Sequence, residues 1–438
     1  MDTLNTVEYN LTASRFNWSL SDGRTIEAWG FNNQLPGPAL KAKKGDKLVI
    51  KVKNELSEPT IIHWHGIRLP AAMDGTGEVQ KPVMPGEEFV YSFVVPDAGT
   101  FWYHSHHNET IQMERGMYGA LIEQDDNDPA FDDDRVFLLD DMKLTRDNNF
   151  TVPGNALARL KERHDGREGN VCLVNGKESP EITINAGQTE RWRFVNTSNA
   201  RYIRLQLGGK TFKIIGNDGG LLQRSYEADE VLLTPGERVD IAVGPFAEGD
   251  HFTIDALPYD RMTFLKAKRR QYATVKVIEA KQSIAHVPTR LRKIDPLTSP
   301  NAPAMRRVKL SVGPSMKTGL SFKVNGGVHV QDQPVYLGEL QVWEVDNASL
   351  MDHPFHLHGF FFQVLEENGK ANTEISWKDT YNLKPRTKIK IAWMPDRPGK
   401  WMYHCHIVEH HAAGMMANFE VIEKGQTYIH SAHAHSCA

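Results

Sequence analysis

Four short stretches hold most of the side chains able to bind a metal: HWHG (63–66), HSH (104–106), HPFHLHG (353–359) and WMYHCHIVEHHAAGMM (401–416). Nineteen histidines in 438 residues would give about one H-x-H by chance, so one such pair carries little. Here the spacing recurs at His63 and His65, His104 and His106, His356 and His358, and His404 and His406. Side chains on a strand alternate between its faces, so each pair presents both imidazoles to one side. Cys405, between His404 and His406, must face the other side. By the same parity His353 points away from His356 and His358, provided Pro354 sits at an edge or a strand start.

The Cys405 side therefore gathers His353, Cys405, His410 and Met415. Two imidazoles, a thiolate and a weak thioether describe a blue-copper electron-transfer centre. Zinc is the competing metal, but it usually takes closed tetrahedral sites with no use for a distant methionine. The other side gathers eight histidines, four from each end of the chain. A site using all of them must lie where the two ends pack face to face. Eight imidazoles exceed one ion and suit a cluster of three. Imidazole suits copper, and each ring must be neutral to bind it.

Such placement calls for short, rigid strands. Runs such as DKLVIKVKN, EEFVYSFVV, QTERWRFVN and TKIKIAWM alternate apolar with polar residues and are separated by Pro/Gly turns, the pattern of half-buried strands. GNALARLKERHDG (154–166) is the one stretch that suits a short helix. An internal repeat is visible. Pro85, Pro235 and Pro385 are each followed fourteen residues later by Gly99, Gly249 and Gly399, and five residues on by His104, Ile254 and His404. A second register agrees: Gly45 to Asn54, Gly187 to Asn196 and Gly338 to Asn347 are all nine apart. The chain is thus expected to be all-β, with three Greek-key β-sandwich domains over 1–125, 130–282 and 290–438. The middle one, with Ile254 and Ala256 where the others have histidines, is expected to be a ligand-free spacer. EQDDNDPAFDDD (123–134) and HVPTRLRKIDPLTSPNAP (286–303) have the composition of solvated linkers.

The four motifs resemble those of the multicopper oxidases, and the whole chain is similar to a three-domain bacterial laccase. The resemblance implies cupredoxin-like domains and four copper ions. It implies that His353, Cys405, His410 and Met415 bind the type 1 copper, that His63 and His356 bind type 2, and that His65, His104, His106, His358, His404 and His406 bind the type 3 pair. It implies oxidation of small aromatic reductants, phenols or aromatic amines, coupled to reduction of dioxygen to water. Cys405, His404 and His406 would carry the electron between centres. Asp74, nine residues after His65, matches the acid that related enzymes place beside the trinuclear cluster, although Asp-Gly in MDG is also a common turn pair. Relatives often carry a glutamate where this chain has His411, and that departure leaves a second proton route without its carboxylate. As a weak axial ligand, Met415 should tune the site without being needed for its colour. M415L is expected to keep the visible band and raise the potential, as redox titration would show.

Alternatives remain at this level. A metallo-oxidase acting on Cu(I) or Fe(II) would use the same ligands, but the fourteen methionines form no methionine-rich block. A non-catalytic scaffold or electron carrier would have lost ligands, and a copper nitrite reductase would not need all eight histidines. The net charge of −4 argues against general nucleic-acid binding. No run of 18 apolar residues predicts a membrane span. The start MDTLNTVEYNLTASRFNWSL lacks the pattern of a signal peptide, which leaves a cytoplasmic chain or an exported one whose signal was removed. Three cysteines, Cys172, Cys405 and Cys437, do not form a disulfide framework; Cys172 reads as a buried small hydrophobe. His107 is expected beside the ligands rather than among them. The tail residues His430, His433, His435 and Cys437 are expected to be disordered. Both halves of the interdomain site lie in one chain, so a monomer suffices.

Overall fold

The computed structural model describes residues 4–151, 154–264 and 266–426. Its strands form six sheets, two in each third of the chain. The first third packs the sheet ordered Thr25–Phe31, Thr6–Ser19, Lys47–Asn54, Glu88–Val94 against one ordered Gly37–Lys43, Tyr118–Gln124, Gly99–Ser105, Ile62–His65. The same architecture recurs over residues 134–280 and 306–422. Each sandwich encloses its own apolar core, and a further cluster joins the first sandwich to the second through Trp102, Met113, Leu138 and Val195. The fold is all-β and cupredoxin-like. The helix Ala156–Asp165 forms where GNALARLKERHDG predicts one, and Asn155 Oδ1 caps it by accepting from Ala158 N at 2.9 Å. Among the described residues no helix is long and apolar enough to cross a membrane. The tail histidines and Cys437 lie outside the described residues. Cys172 is half-buried rather than buried, because its strand Val171–Val174 edges its sheet.

The sequence repeat has a physical cause. Lys47–Asn54, Glu190–Asn196 and Gln341–Asn347 each pair in parallel with the first long strand of their sandwich, and each follows a glycine with positive φ. The asparagine at each strand end is fully buried and makes the same three bonds. Its Oδ1 accepts from the main-chain N two residues on: Leu56 at 2.9 Å, Ser198 at 3.1 Å, Ser349 at 3.0 Å. Its Nδ2 donates to a carbonyl four or five residues on, Glu58, Arg201 or Met351, and to the carbonyl two residues before the repeated proline, Val83, Leu233 or Leu383. One amide therefore locks a turn and ties it to a distant segment, which links the two sequence registers. Removing it strands buried main-chain groups at about 1–3 kcal/mol each. N196A, remote from the histidine motifs in sequence, is expected to lose about 2–4 kcal/mol of stability, and its denaturant midpoint checks this; an unchanged midpoint would mean that water replaces the amide.

Candidate metal centre

The strand Gly399–Cys405 lies between Met416–Ile422 and His353–Leu357, with Phe355 opposite Cys405 and His356 opposite His404. Pro354 is second in its strand; it gives up one donor, while its carbonyl accepts from His406 N at 2.7 Å. On one face Cys405 Sγ lies 3.5 Å from His353 Nδ1 and 3.6 Å from His410 Nδ1, and the two nitrogens are 3.2 Å apart. An ion held at about 2.0–2.3 Å by N and S ligands needs donor separations of about this size. The outer nitrogens fix the tautomers. His353 Nε2 donates to Ser349 Oγ at 2.9 Å and His410 Nε2 to His164 O at 3.1 Å, leaving both Nδ1 lone pairs on the thiol. Burial, then Arg261, lowers the His353 pKa to about 3; burial, then His353, holds His410 well below the usual range. Burial pushes the Cys405 thiol far up, so a cation is what would draw off its proton. Met415 is fully buried in the same core, its O accepting from Cys405 N and its N donating to His410 O, both at 3.0 Å.

On the other face the first and third sandwiches bring the eight histidines together. His106, His358 and His404 form one trio and His63, His356 and His358 another. His65, His104 and His406 have ring centres 4.9–5.8 Å apart. The rings flanking Cys405 thus go to separate groups. Six rings present buried nitrogens with no hydrogen-bond partner among the described residues: Nε2 of His63, His104, His106 and His356, Nδ1 of His65, and both nitrogens of His406. His358 Nε2 and His404 Nε2 face each other at 2.9 Å. Their Nδ1 atoms already donate, to Asp74 Oδ2 and Cys405 O, both at 2.9 Å, so two lone pairs meet. Buried polar groups rarely stay unpaired; so many converging acceptors fit shared cations. Burial, and after it the charges of neighbouring rings, holds His63, His65, His358, His404 and His406 well below the usual range. These rings are neutral, as ligands must be. His106 is the exception: burial opposes its charge, but Glu109 outweighs it and raises the pKa.

Three carboxylates surround the cluster. Asp74 ends a short 3-10 turn, Ala71–Met73, before Gly75 with φ +75°, so the turn expected of MDG and the contact with the cluster coexist. Its main-chain O accepts from His63 Nδ1 at 2.7 Å, and its Oδ1, 3.5 Å from the same nitrogen, has no hydrogen-bond partner among the described residues. Burial, against the opposing charge of His106, pushes its carboxyl up to about 7. Asp379 accepts from His65 Nε2 at 3.1 Å through Oδ1, and its main-chain O accepts from His356 Nδ1 at 3.0 Å. Burial opposes its charge as well, but Arg238 outweighs it and holds Asp379 well below the carboxylate range. Two carboxylates beside one cluster are thereby driven apart, one able to hold a proton near neutrality and one fixed as an acceptor. Glu109 bridges His106 Nδ1 at 2.9 Å and His411 Nδ1 at 3.0 Å. His411 also stacks on His404, ring centres 4.3 Å apart. A carboxylate is therefore present next to His411, supplied by the first sandwich. His107 is half-buried and its O accepts from Ser105 Oγ. Asp379, Arg238 and Glu109 carry no local motif; only the position of Glu109, three residues after His106, is a sequence signal.

Three family models, each described as multicopper oxidase, match this chain, one at residues 12–128, one at 135–283 and one at 298–425. The multicopper oxidase mco of Staphylococcus aureus is 31% identical over 94% of this chain and 88% of its own length. A multicopper oxidase of Campylobacter jejuni, described as a metallo-oxidase, superposes with a TM-score of 0.85 at 28% identity, covering 96% of this chain and 92% of that one. A laccase of Pediococcus acidilactici superposes with a TM-score of 0.81 at 29% identity, covering 96% and 91%. Copper is the cofactor of these proteins, typically four ions per chain, and the donor sets described above fit it. Three matched domains, identity along nearly the whole chain and a shared fold make this protein a member of the multicopper oxidase family.

Proposed function

We propose that the chain is a laccase-type oxidase, taking single electrons from phenols or aromatic amines and reducing dioxygen to two waters with four electrons and four protons. His353, Cys405, His410 and Met415 would hold the type 1 copper; His63 and His356 would hold type 2; His65, His104, His106, His358, His404 and His406 would hold the type 3 pair. Bound copper supplies the one-electron chemistry at the first site and the oxygen chemistry at the cluster. One observation carries the reading: His404 and Cys405 end one strand and His406 follows directly, yet the thiol and the two imidazoles face separate donor sets. A single peptide joins the thiolate to each imidazole, a span of roughly 10–15 Å between sites. Asp74 is the proton carrier, touching His358 and with an oxygen to spare.

A second reading, a metallo-oxidase acting on Cu(I) or Fe(II), is favoured by the cover over the type 1 ligands. His410 Nε2 is bonded to His164 O at 3.1 Å, and His164 belongs to the helix Ala156–Asp165. His353 and His410 are both fully buried, so neither offers an open ring edge to a bulky phenol. Oxygen uptake by the copper-loaded protein with a substituted phenol, then with Cu(I), at several pH values decides. Faster turnover with the phenol supports the laccase reading, and efficient turnover with Cu(I) alone replaces it by the second.

A further inference from the structure

The second sandwich provides none of the proposed ligands, yet its Arg238 reaches their anchors. Arg238 is fully buried and uses all five N–H groups. Nε donates to Thr100 O at 3.0 Å. Nη1 donates to Gly236 O at 3.1 Å and to Asp379 Oδ1 at 2.8 Å. Nη2 donates to Asp218 O at 2.9 Å and to Asp379 Oδ2 at 2.5 Å. These acceptors belong to all three sandwiches. Only a planar five-donor fork meets them at once; an ammonium has three donors on one atom.

Asp379, so held, faces the odd member of the cluster. Six rings engage Nδ1 and leave Nε2 for metal: His63, His104, His106, His356, His358 and His404. His65 alone engages Nε2, on Asp379 Oδ1, and leaves Nδ1 free. Space is reserved for the arrangement. A Cβ on Gly66, the glycine of HWHG, would lie 2.4 Å from Arg238 Nη2 and 2.7 Å from Asp379 Oδ2. A Cβ on Gly236, two residues before Arg238, would lie 2.8 Å from the His406 ring.

We infer that Arg238 is a positioning residue for the tricopper site: through Asp379 it fixes the His65 ring with Nδ1 toward the metal, so the middle sandwich controls a cluster to which it gives no ligand. The inference rests on the ligand assignment proposed above. It adds a role to the ligand-free middle sandwich, because the link runs through the folded core and not through the linkers.

The test compares the copper-loaded full-length protein with R238K, D379N and D240N. Asp240 belongs to the junction of the first two sandwiches, bonded to Thr100 Oγ1 and Arg191, and touches no proposed ligand. Copper per chain, the visible blue band and electron paramagnetic resonance are read together. R238K and D379N are expected to bind cluster copper about 10–100-fold more weakly and to lose the magnetic coupling of the type 3 pair, with the blue band unchanged; D240N keeps both. R238K with full copper and an intact coupled pair would overturn the inference. So would parallel loss of band and coupling in all three variants, which a loosened junction would produce. Should R238K not fold, D379N decides by the same criteria. A wild-type protein lacking a coupled pair would instead remove the ligand assignment, and the inference with it.

Discussion

In C405S the blue band disappears and donor-driven oxygen uptake falls by more than about 100-fold, beyond the cost of losing an outer partner of a ligand. The sulfur is the one soft donor among the three groups that converge on that face, and a serine hydroxyl gives neither the colour nor the covalent electron path. The eight imidazoles across the strand should keep their copper, because His404 and His406 are held by other means. His404 Nδ1 bonds a main-chain carbonyl, and the His406 main-chain N bonds Pro354 O. Absorption spectra and copper counts on the same sample check both halves. A C405S protein that stayed blue, or one that lost all its copper, would contradict two separate sites wired through one residue.

The second large effect is expected at Asp74. In D74N the side-chain oxygen can still accept from His358 Nδ1, so the ring keeps its place, but the carboxyl can no longer carry a proton. Loss of a positioned proton carrier costs about 10²–10⁴-fold in rate. The blue band and copper content should stay, and anaerobic bleaching by a donor should run at the wild-type rate. Only reoxidation by dioxygen should slow. Stopped-flow spectroscopy separates the two halves of the cycle; an equal slowing of both would argue that Asp74 shapes the cluster rather than feeding it protons.

How much of this was legible in the sequence depended on range. Strand parity predicts the two faces around Cys405 from the order His404, Cys405, His406, and the arrangement holds although the strand itself ends at Cys405. The helix at Ala156–Asp165 was readable from the stretch GNALARLKERHDG, but its seat over His410 was not, because that contact joins residues 246 apart. Asp379 lies 314 residues from His65, and Arg238 shares no motif with either. Residues like these are selected by packing in three dimensions and leave no local spacing. The asparagine repeat was visible as a register; its cause emerged only when each amide was seen spanning two segments.

One of those asparagines receives a serine hydroxyl as well as a main-chain N, a bond that Ser198 does not make to Asn196. Ser349, whose main-chain N is held by Asn347, also turns its hydroxyl onto Asn347 Oδ1 at 2.8 Å and receives His353 Nε2 at 2.9 Å. The corner that shapes the third sandwich is thus part of the mounting of the proposed type 1 site. Hue and absorbance should therefore drift as soon as that corner softens on heating, ahead of global melting, making the pigment an internal strain gauge for its own domain.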